Sequence, residues 1–219
     1  LSGERPDPPA GNYLRDMLFG AEIRVVPRRE DRDPAMAEAA EDVRRAGGVP
    51  FVIPMGGSTP LGVMGVARAV AELSADRLKP DVIVCASSSG GTQAGLMAGC
   101  TLFGLPSRVL GISADLPADE LKAVVSGLLD RTAVSLGSPA GSLAGAHGVE
   151  VDDGQVGAGY GAPTDAADEA VRLLARREGI LLDSVYTSKA MAGLIAHVRA
   201  GQFSSGQTVL FWHTGGLVG

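Results

Sequence analysis

Small hydroxyl residues and glycines cluster where a short apolar stretch gives way to a helical pattern. The apolar stretch is residues 82 to 84, residues 87 to 91 have the composition of a tight turn, and Thr92 stands where a helix cap is expected. The amino terminus of a helix has unpaired backbone N–H groups and partial positive charge, and glycines let the backbone approach an anion closely. The spacing is therefore typical of a phosphate site, to which the hydroxyls of Ser88, Ser89 and Thr92 add donors.

The arrangement of the glycines limits which phosphate compound this turn could hold. No lysine follows them, so the ATP-binding sequence G-x-x-x-x-G-K-S/T is absent, as are the spaced glycines G-x-G-x-x-G of dinucleotide-binding folds. A single phosphate is therefore the favoured ligand. From these residues alone, a glycine-rich turn that only redirects the chain explains the pattern equally well.

The loop SSSGGTQAGL resembles the phosphate loop of pyridoxal-phosphate enzymes of the tryptophan-synthase-β fold type. Within that group it is similar to the branch that holds D-cysteine desulfhydrase and 1-aminocyclopropane-1-carboxylate deaminase. Four further segments match this branch in the same order: GNYLRDMLFGAEIRVVP (11 to 27), PFVIPMGGSTPLGVMG (50 to 65), GYGAPTDAADEAVRLLARREGILLDSVYTSKAMAGL (159 to 194) and LFWHTGG (210 to 216). Several matching segments are more specific than one loop, so the chain is identified as a member of this branch.

The resemblance implies that pyridoxal 5'-phosphate is the cofactor and that no metal is needed. The residues that match the family's phosphate-holding positions are Ser88, Ser89, Gly90, Gly91 and Thr92. Tyr160, in the sequence GYG, and Tyr186, in VYTSK, match two catalytic tyrosines that line the substrate pocket. Without the resemblance, a core tyrosine with a bonded hydroxyl is the preferred interpretation of each.

By the same resemblance, Thr187 lies beside the cofactor's pyridine nitrogen, where the deaminase has a glutamate. A carboxylate there favours the protonated ring and deepens the electron sink. A hydroxyl gives a shallower sink, which suffices when a thiolate leaves from the β carbon. A helix cap is the alternative role for Thr187, and both roles can hold at once. Thr214, in HTGG, matches a residue that closes the pocket near the ring, with a turn-forming role as its alternative.

The lysine that binds the cofactor covalently is expected outside this chain. Lys79 and Lys122 are predicted to be solvated residues at helix ends, and Lys189 belongs to the VYTSK segment without being the Schiff-base lysine. The resemblance implies that this lysine lies upstream of Leu1, within about a hundred residues that complete a paired domain. The chain is therefore expected to be a fragment, or one half of an enzyme whose complementary chain carries the lysine.

Alternating strand and helix patterns position these residues and predict an α/β fold with mostly parallel sheets. We expect two doubly wound αβα domains, an incomplete small one at residues 1 to 52 and a large cofactor-binding one at 53 to 219. The small domain is expected to contain a helix at 12 to 19, a strand at 22 to 26 and a helix at 35 to 45. The large domain is expected to contain further strands at 108 to 112 and 208 to 212, helices at 118 to 129, 166 to 178 and 186 to 199, and a loosely structured stretch at 135 to 160.

The composition and charge of the chain argue against several other kinds of function. The chain has 219 residues, a net charge of −6 and no basic stripe, which argues against a nucleic-acid partner. Its apolar runs have the length of strands, so a membrane role is not expected. The first residues lack the pattern of a secretion signal, so a cytoplasmic location is expected. Cys85 and Cys100 are expected to be reduced core residues. The family generally forms homodimers, which the resemblance implies here.

The predicted function is a pyridoxal-phosphate-dependent carbon-sulfur lyase that acts on cysteine or a cysteine derivative by β-elimination. Three alternatives stay open: 1-aminocyclopropane-1-carboxylate deamination, cleavage of S-alkyl cysteine conjugates in a biosynthetic pathway, and a non-catalytic half that needs a lysine-bearing partner. A nicotinamide-dependent oxidoreductase is disfavoured because its glycine fingerprint is absent.

Overall fold

A four-stranded parallel sheet forms the centre of the larger part of the chain. The computed structural model describes residues 2 to 9, 11 to 76 and 78 to 216. The strands are β1 (Val82–Ser87), β2 (Arg108–Ser113), β3 (Glu150–Asp152) and β4 (Val209–Trp212). Their spatial order is β3-β2-β1-β4, and each neighbouring pair is parallel. The predicted α/β fold with a parallel sheet is confirmed.

Helices cover both faces of this sheet. These helices are α3 (Pro60–Ala75), α4 (Gly91–Leu102), α5 (Ala118–Ser135), α6 (Asp165–Glu178) and α7 (Thr187–Arg199). Successive residues of a strand point to opposite faces, and Ile83 and Cys85 pack with α3, α4 and α5, whereas Val82 and Val84 pack with α7. Because both faces are covered, β1 is buried along its whole length, as its unbroken apolar run requires.

The first residues form a separate compact unit that extends to Pro54, and a second unit starts at Met55. The first unit contains α1 (Gly11–Leu18), a 3-10 turn (Arg29–Asp31) and α2 (Arg32–Arg45). The predicted strand at 22 to 26 is wrong, because only Val26 pairs, in an isolated parallel bridge with Ser2. Pro27 follows Val26 directly and has no N–H to continue a ladder.

Two further sequence predictions for the second unit are wrong in extent. The helix expected to end at residue 129 continues to Ser135, because the next left-handed glycine is Gly137. The stretch from 135 to 160, expected to be loosely structured, contains β3. This strand has three residues with a single apolar side chain, Val151, so local periodicity gives no signal for it. No helix in the described ranges is long and apolar enough to cross a membrane.

The parallel register brings the ends of all four strands to one edge of the sheet. Ser87, the last residue of β1, is paired with Ser113 of β2, and Trp212 ends β4 on the other side of β1. Asp152 ends β3 beside β2. Ligands in such sheets bind at the carboxyl ends of strands. The segments that follow the four strands at this edge are 88 to 90, 114 to 117, 153 to 164 and 213 to 216.

Candidate active site

The turn between β1 and α4 has the geometry of an anion cradle. Gly90 is the residue before the helix and has a φ of 80°, a left-handed conformation that favours glycine. The helix begins at Gly91, so the prediction that Thr92 caps it is wrong. Ser88, Ser89 and Thr92 are partly accessible at this turn, whereas both glycines are buried.

The backbone N–H groups of this turn have no acceptor within the described part of the chain. Among the described residues, no acceptor receives a hydrogen bond from the backbone amides of residues 88 to 93, and the buried hydroxyl of Ser87 also has no partner. Unpaired buried donors are costly unless a ligand or water satisfies them. The cradle therefore fits the phosphate of pyridoxal phosphate, whose oxygens would accept these N–H and O–H groups at the positive end of α4.

A second turn packs against this cradle. The Ser58 hydroxyl donates a hydrogen bond of 2.8 Å to the Ser89 hydroxyl. A Cβ atom at Gly91 would lie 2.6 Å from Ser58 Oγ, so any other residue there would displace the Ser58 hydroxyl. The Gly-Gly-Ser-Thr-Pro segment at 56 to 60 forms the turn before α3 and also contacts the phosphate loop through Ser58. Sequence carries no signal for a contact across 31 positions.

Glycines also let α3 and α4 pack closely, which fixes the direction of α4. A Cβ atom at Gly95 would lie 2.4 Å from Cβ of Val66, and one at Gly99 would lie 2.6 Å from Cβ of Val70. The two helices share more of their surfaces than any other helix pair in the described part of the chain. Close packing of this kind holds the amino ends of both helices in fixed positions next to the cradle.

Tyr160 and Tyr186 meet although 26 positions separate them. Their hydroxyl oxygens are 2.5 Å apart, and their rings contact edge to face with centroids separated by 5.9 Å. Burial of Tyr186, followed by its hydrogen bond to Tyr160, raises the pKa of its phenol above the ordinary value. Tyr186 is therefore neutral at physiological pH. Because one hydroxyl donates to the other, the acceptor's own hydrogen stays available to a substrate.

Asp183 organises the start of α7, which sequence reasoning missed. One carboxylate oxygen accepts the amides of Val185 and Tyr186, and the other accepts the amide and the hydroxyl of Thr187. Burial of Asp183 raises its pKa, but these hydrogen bonds outweigh that effect and the pKa is lowered. The available sequence signal was an aspartate just before a helical pattern, which is a common capping arrangement.

Thr187 is almost completely buried, and its hydroxyl belongs to this network. It donates to Asp183 Oδ2 at 2.5 Å, accepts the Asp183 amide at 2.8 Å and lies 3.3 Å from the Gly215 carbonyl oxygen. The residue is 1% exposed. The alternative prediction that Thr187 caps α7 is wrong, because Tyr186 is the residue before the helix and the Asp183 carboxylate accepts the first amides. Its contact with Gly215 joins α7 to the segment after β4.

That segment has a fixed backbone. His213 Nδ1 accepts the Gly215 amide at 3.1 Å, so the proton is on Nε2, which donates to the Leu181 carbonyl at 3.0 Å. His213 is therefore a structural residue whose two nitrogens are both used. Thr214, which lies between His213 and Gly215 in the sequence, is exposed. The structure brings the neighbourhood of Thr214 to Thr187, and their roles beside a pyridine ring stay predictions.

The three lysines are exposed, ion-paired or fully hydrogen-bonded, and the two cysteines are buried thiols. Lys79 is exposed, Lys122 lies 3.6 Å from Asp119, and the buried Lys189 donates to three carbonyl oxygens. Burial raises the thiol pKa of Cys85 to about 12 and that of Cys100 to about 11, and both thiols are reduced. Among the residues that the structure describes, no group of three or more His, Cys, Asp and Glu side chains is arranged to hold a metal ion.

The fold and the cradle define an α/β protein with a phosphate-binding loop at the carboxyl edge of a parallel sheet. A family model described as pyridoxal-phosphate dependent enzyme matches residues 5–215, and the chain belongs to this family. The predicted family, with its cofactor pyridoxal phosphate, is thereby confirmed.

Curated relatives fall in the branch expected from the sequence. The chain is 36% identical to a putative 1-aminocyclopropane-1-carboxylate deaminase of Pyrococcus horikoshii over 95% of this chain and 63% of that protein. It is 38% identical to a 1-aminocyclopropane-1-carboxylate deaminase of Burkholderia ambifaria, over 94% and 63%. It is 36% identical to a D-cysteine desulfhydrase of Salmonella paratyphi C, over 94% and 62%. The chain therefore spans less than two thirds of the length of these relatives, to which it is similar.

Solved structures agree with this placement. The crystal structure of a 1-aminocyclopropane-1-carboxylate deaminase homologue matches 99% of this chain and 65% of its own length, with a TM-score of 0.86 and 36% identity. Serine racemase of Dictyostelium discoideum matches with a TM-score of 0.61 at 14% identity, a likeness that concerns the fold alone.

Proposed function

We propose that the protein that carries this chain is a pyridoxal-phosphate-dependent carbon-sulfur lyase. It removes the sulfur substituent of cysteine or a cysteine derivative by β-elimination and gives a thiol or sulfide, pyruvate and ammonia, as a D-cysteine desulfhydrase does. The lysine that binds the cofactor covalently comes from residues outside this chain. The protein acts as a cytoplasmic homodimer on a small amino-acid substrate.

The observation that carries this choice of reaction is the residue at position 187. Thr187 is neutral, and the Asp183 carboxylate that contacts it already accepts two hydrogen bonds on each oxygen. No carboxylate is therefore offered at the position where the deaminase branch has a glutamate. Pyridoxal phosphate supplies an electron sink for negative charge at the α carbon, and a good leaving group such as a thiolate needs less of that sink than a carbon-carbon bond does.

The remaining residues of the site have defined tasks in this proposal. The amides at 88 to 93 and the serine hydroxyls hold the phosphate and so fix the position of the cofactor. The Tyr160–Tyr186 pair carries one hydroxyl hydrogen that is not used within the pair, and it serves as the proton donor to the departing sulfur. Tyr186 keeps its hydroxyl hydrogen because its pKa is raised. General acids of this kind contribute about a hundredfold or more to a rate.

Deamination of 1-aminocyclopropane-1-carboxylate is the second candidate. It is favoured by the names of relatives that are 36% to 38% identical to this chain. The two reactions share the cofactor and the phosphate cradle and differ in the group that leaves, so their products separate them.

The test uses the full-length protein loaded with pyridoxal phosphate. D-cysteine and L-cysteine are tested separately, and at least one of them is expected to give sulfide and pyruvate. No 2-oxobutyrate is expected from 1-aminocyclopropane-1-carboxylate. If 1-aminocyclopropane-1-carboxylate gives 2-oxobutyrate and no cysteine derivative gives sulfide, the second candidate is established instead. Thr187→Val is expected to lower the activity and Thr187→Ser to keep it. Thr132→Val is the matched control, because it also removes a buried helical hydroxyl, one that bonds only its own helix in α5.

A further inference from the structure

Lys189 is a fully buried lysine in the first turn of α7. Its ammonium nitrogen donates to the carbonyl oxygens of Ala114 at 3.1 Å, Val156 at 2.8 Å and Gly159 at 3.0 Å. The whole side chain is 0% exposed. Three acceptors require three N–H donors, and only the protonated amine has three. Lys189 is therefore held as an ammonium ion whose donors are all used by backbone oxygens.

The three carbonyl groups belong to different segments of the carboxyl edge. Ala114 follows β2, and its amide bonds the carbonyl of Ser87 at the end of β1. Val156 and Gly159 belong to the segment after β3, which has no helix or strand between residues 153 and 164. This segment carries Tyr160. Lys189 thus ties the tyrosine-bearing segment to the sheet edge and to α7 through one charged group.

The bond to Gly159 acts directly on Tyr160. The carbonyl of Gly159 and the amide of Tyr160 form one planar peptide unit, so fixing the oxygen fixes the plane from which the Tyr160 side chain leaves. Gly159 has a φ of 127°, a conformation that glycine adopts readily. On the other side, Lys189 is only three residues after Tyr186, on the same rigid helix.

The charge of Lys189 is tolerated because its surroundings are polar. Burial lowers the pKa of Lys189, and the negative charge of Asp115 opposes that effect. Three carbonyl dipoles directed at the ammonium group replace its hydration. A neutral side chain of the same size would leave the buried Ala114 carbonyl without its donor, which is a known source of instability. The Val156 and Gly159 carbonyls would each keep one backbone donor, from Gly159 and Ala162, and would lose the charged one.

We propose that Lys189 is a positioning residue for the Tyr160–Tyr186 pair. Its ammonium group holds the segment 156 to 159 at a fixed distance from α7 and so sets the position of the Tyr160 hydroxyl relative to Tyr186. The catalytic consequence rests on the proposed function, in which this pair is the proton donor. The structural consequence, a tethered segment around Tyr160, does not depend on it.

Two variants separate the charge of Lys189 from its volume. Lys189→Ala leaves a space lined by carbonyl oxygens, whereas Lys189→Met fills most of it with an apolar chain. In the full-length holoenzyme, both are expected to lower kcat by about a hundredfold, the cost of misplacing a catalytic group by about 1 Å. Ammonium or methylammonium chloride is expected to restore activity to Lys189→Ala but not to Lys189→Met. Tetramethylammonium, which has no N–H donor, is expected to restore neither.

Coupling to the tyrosine pair is tested by a double variant. If Lys189 acts through Tyr160, then adding Lys189→Met to Tyr160→Phe lowers kcat little beyond the single tyrosine variant. Fully additive losses, or an unchanged kcat in both lysine variants, would overturn the catalytic part. Lys122→Met is the matched control, since Lys122 is a partly exposed lysine of α5, and it is expected to keep wild-type kcat.

A readout without catalysis keeps the two proposals distinguishable. Chymotrypsin cleaves after tyrosine, and Tyr160 is 56% exposed on its segment. Cleavage after Tyr160 in the native full-length protein is expected to be about tenfold faster in Lys189→Met than in wild type or Lys122→Met, because local opening controls such cleavage. Equal rates would refute the tether even if the protein is an active lyase. Faster cleavage would support it even if no lyase activity is found.

Discussion

Replacement of Gly91 by alanine tests whether the turn before α4 holds the cofactor's phosphate. The added methyl group would lie 2.6 Å from Ser58 Oγ and 3.3 Å from its Cα and Cβ atoms. Ordinary contact begins at 3.4 Å, so the hydroxyl has to move by 3.4 − 2.6 = 0.8 Å. The movement removes the 2.8 Å hydrogen bond between Ser58 and Ser89 and shifts Ser89, which belongs to the cradle.

The expected cost follows from these contacts. Overpacking by a methyl group costs about 1–3 kcal/mol, and the lost hydrogen bond contributes about 1 kcal/mol within that range. If the strain is relieved when the cradle opens, the loss appears as a cofactor affinity that is about 5- to 150-fold weaker. The same replacement at Gly65 in α3 meets no atom within 4 Å and is a matched control. Alanine there is expected to stabilise the helix slightly.

The assay is a titration of pyridoxal phosphate into the full-length apoprotein, followed by the visible absorption of the bound cofactor. Gly91→Ala is expected to have the higher dissociation constant, and Gly65→Ala to match wild type. Thermal unfolding of the apoproteins reports separately on global stability. A Gly91→Ala protein that is folded and binds the cofactor with wild-type affinity would refute the assignment of this turn as the phosphate cradle.

Two further predictions concern the residues around α7. Tyr186→Phe removes one of two hydroxyls that are 2.5 Å apart. The kcat is expected to fall by about a hundredfold while KM changes little. An unchanged kcat would exclude the pair as proton donor. The pKa of Asp183 is lowered from 3.8, so its carboxylate stabilises the fold above that value and the contribution is lost as the pH falls through the folded-state pKa. Asp183→Asn is therefore expected to be less stable than wild type at pH 7, with a difference that narrows in acid, as measured by urea unfolding; a difference independent of pH would contradict the lowered pKa.

Local sequence patterns were sufficient for most helices and strands of the second unit. The apolar run at 82 to 84 predicts a buried strand because both faces of β1 are covered. The Ser/Gly cluster predicts a turn before a helix because glycine adopts the left-handed conformation that Gly90 has. The family resemblance added the cofactor, which composition could not supply.

Elements that depend on pairing were not predictable in this way. β3 exists because Glu150–Asp152 finds a place beside β2, and its own residues carry no strand signal. Conversely, residues 22 to 26 have a strand-like composition but pair only at Val26. Strand formation is decided by the neighbouring strand, since the hydrogen bonds of a strand are made with another segment.

By itself, the sequence determined the types of local structure and the residues able to bind a phosphate, because turns, caps and apolar periodicity depend on neighbours within a few positions. Only the tertiary structure decided which distant groups meet. Tyr160 reaches Tyr186 across 26 positions, and Lys189 reaches Ala114 across 75. A lysine in a helical pattern is usually solvated, and burial became possible here because three carbonyl groups from separate segments converge on one ammonium ion.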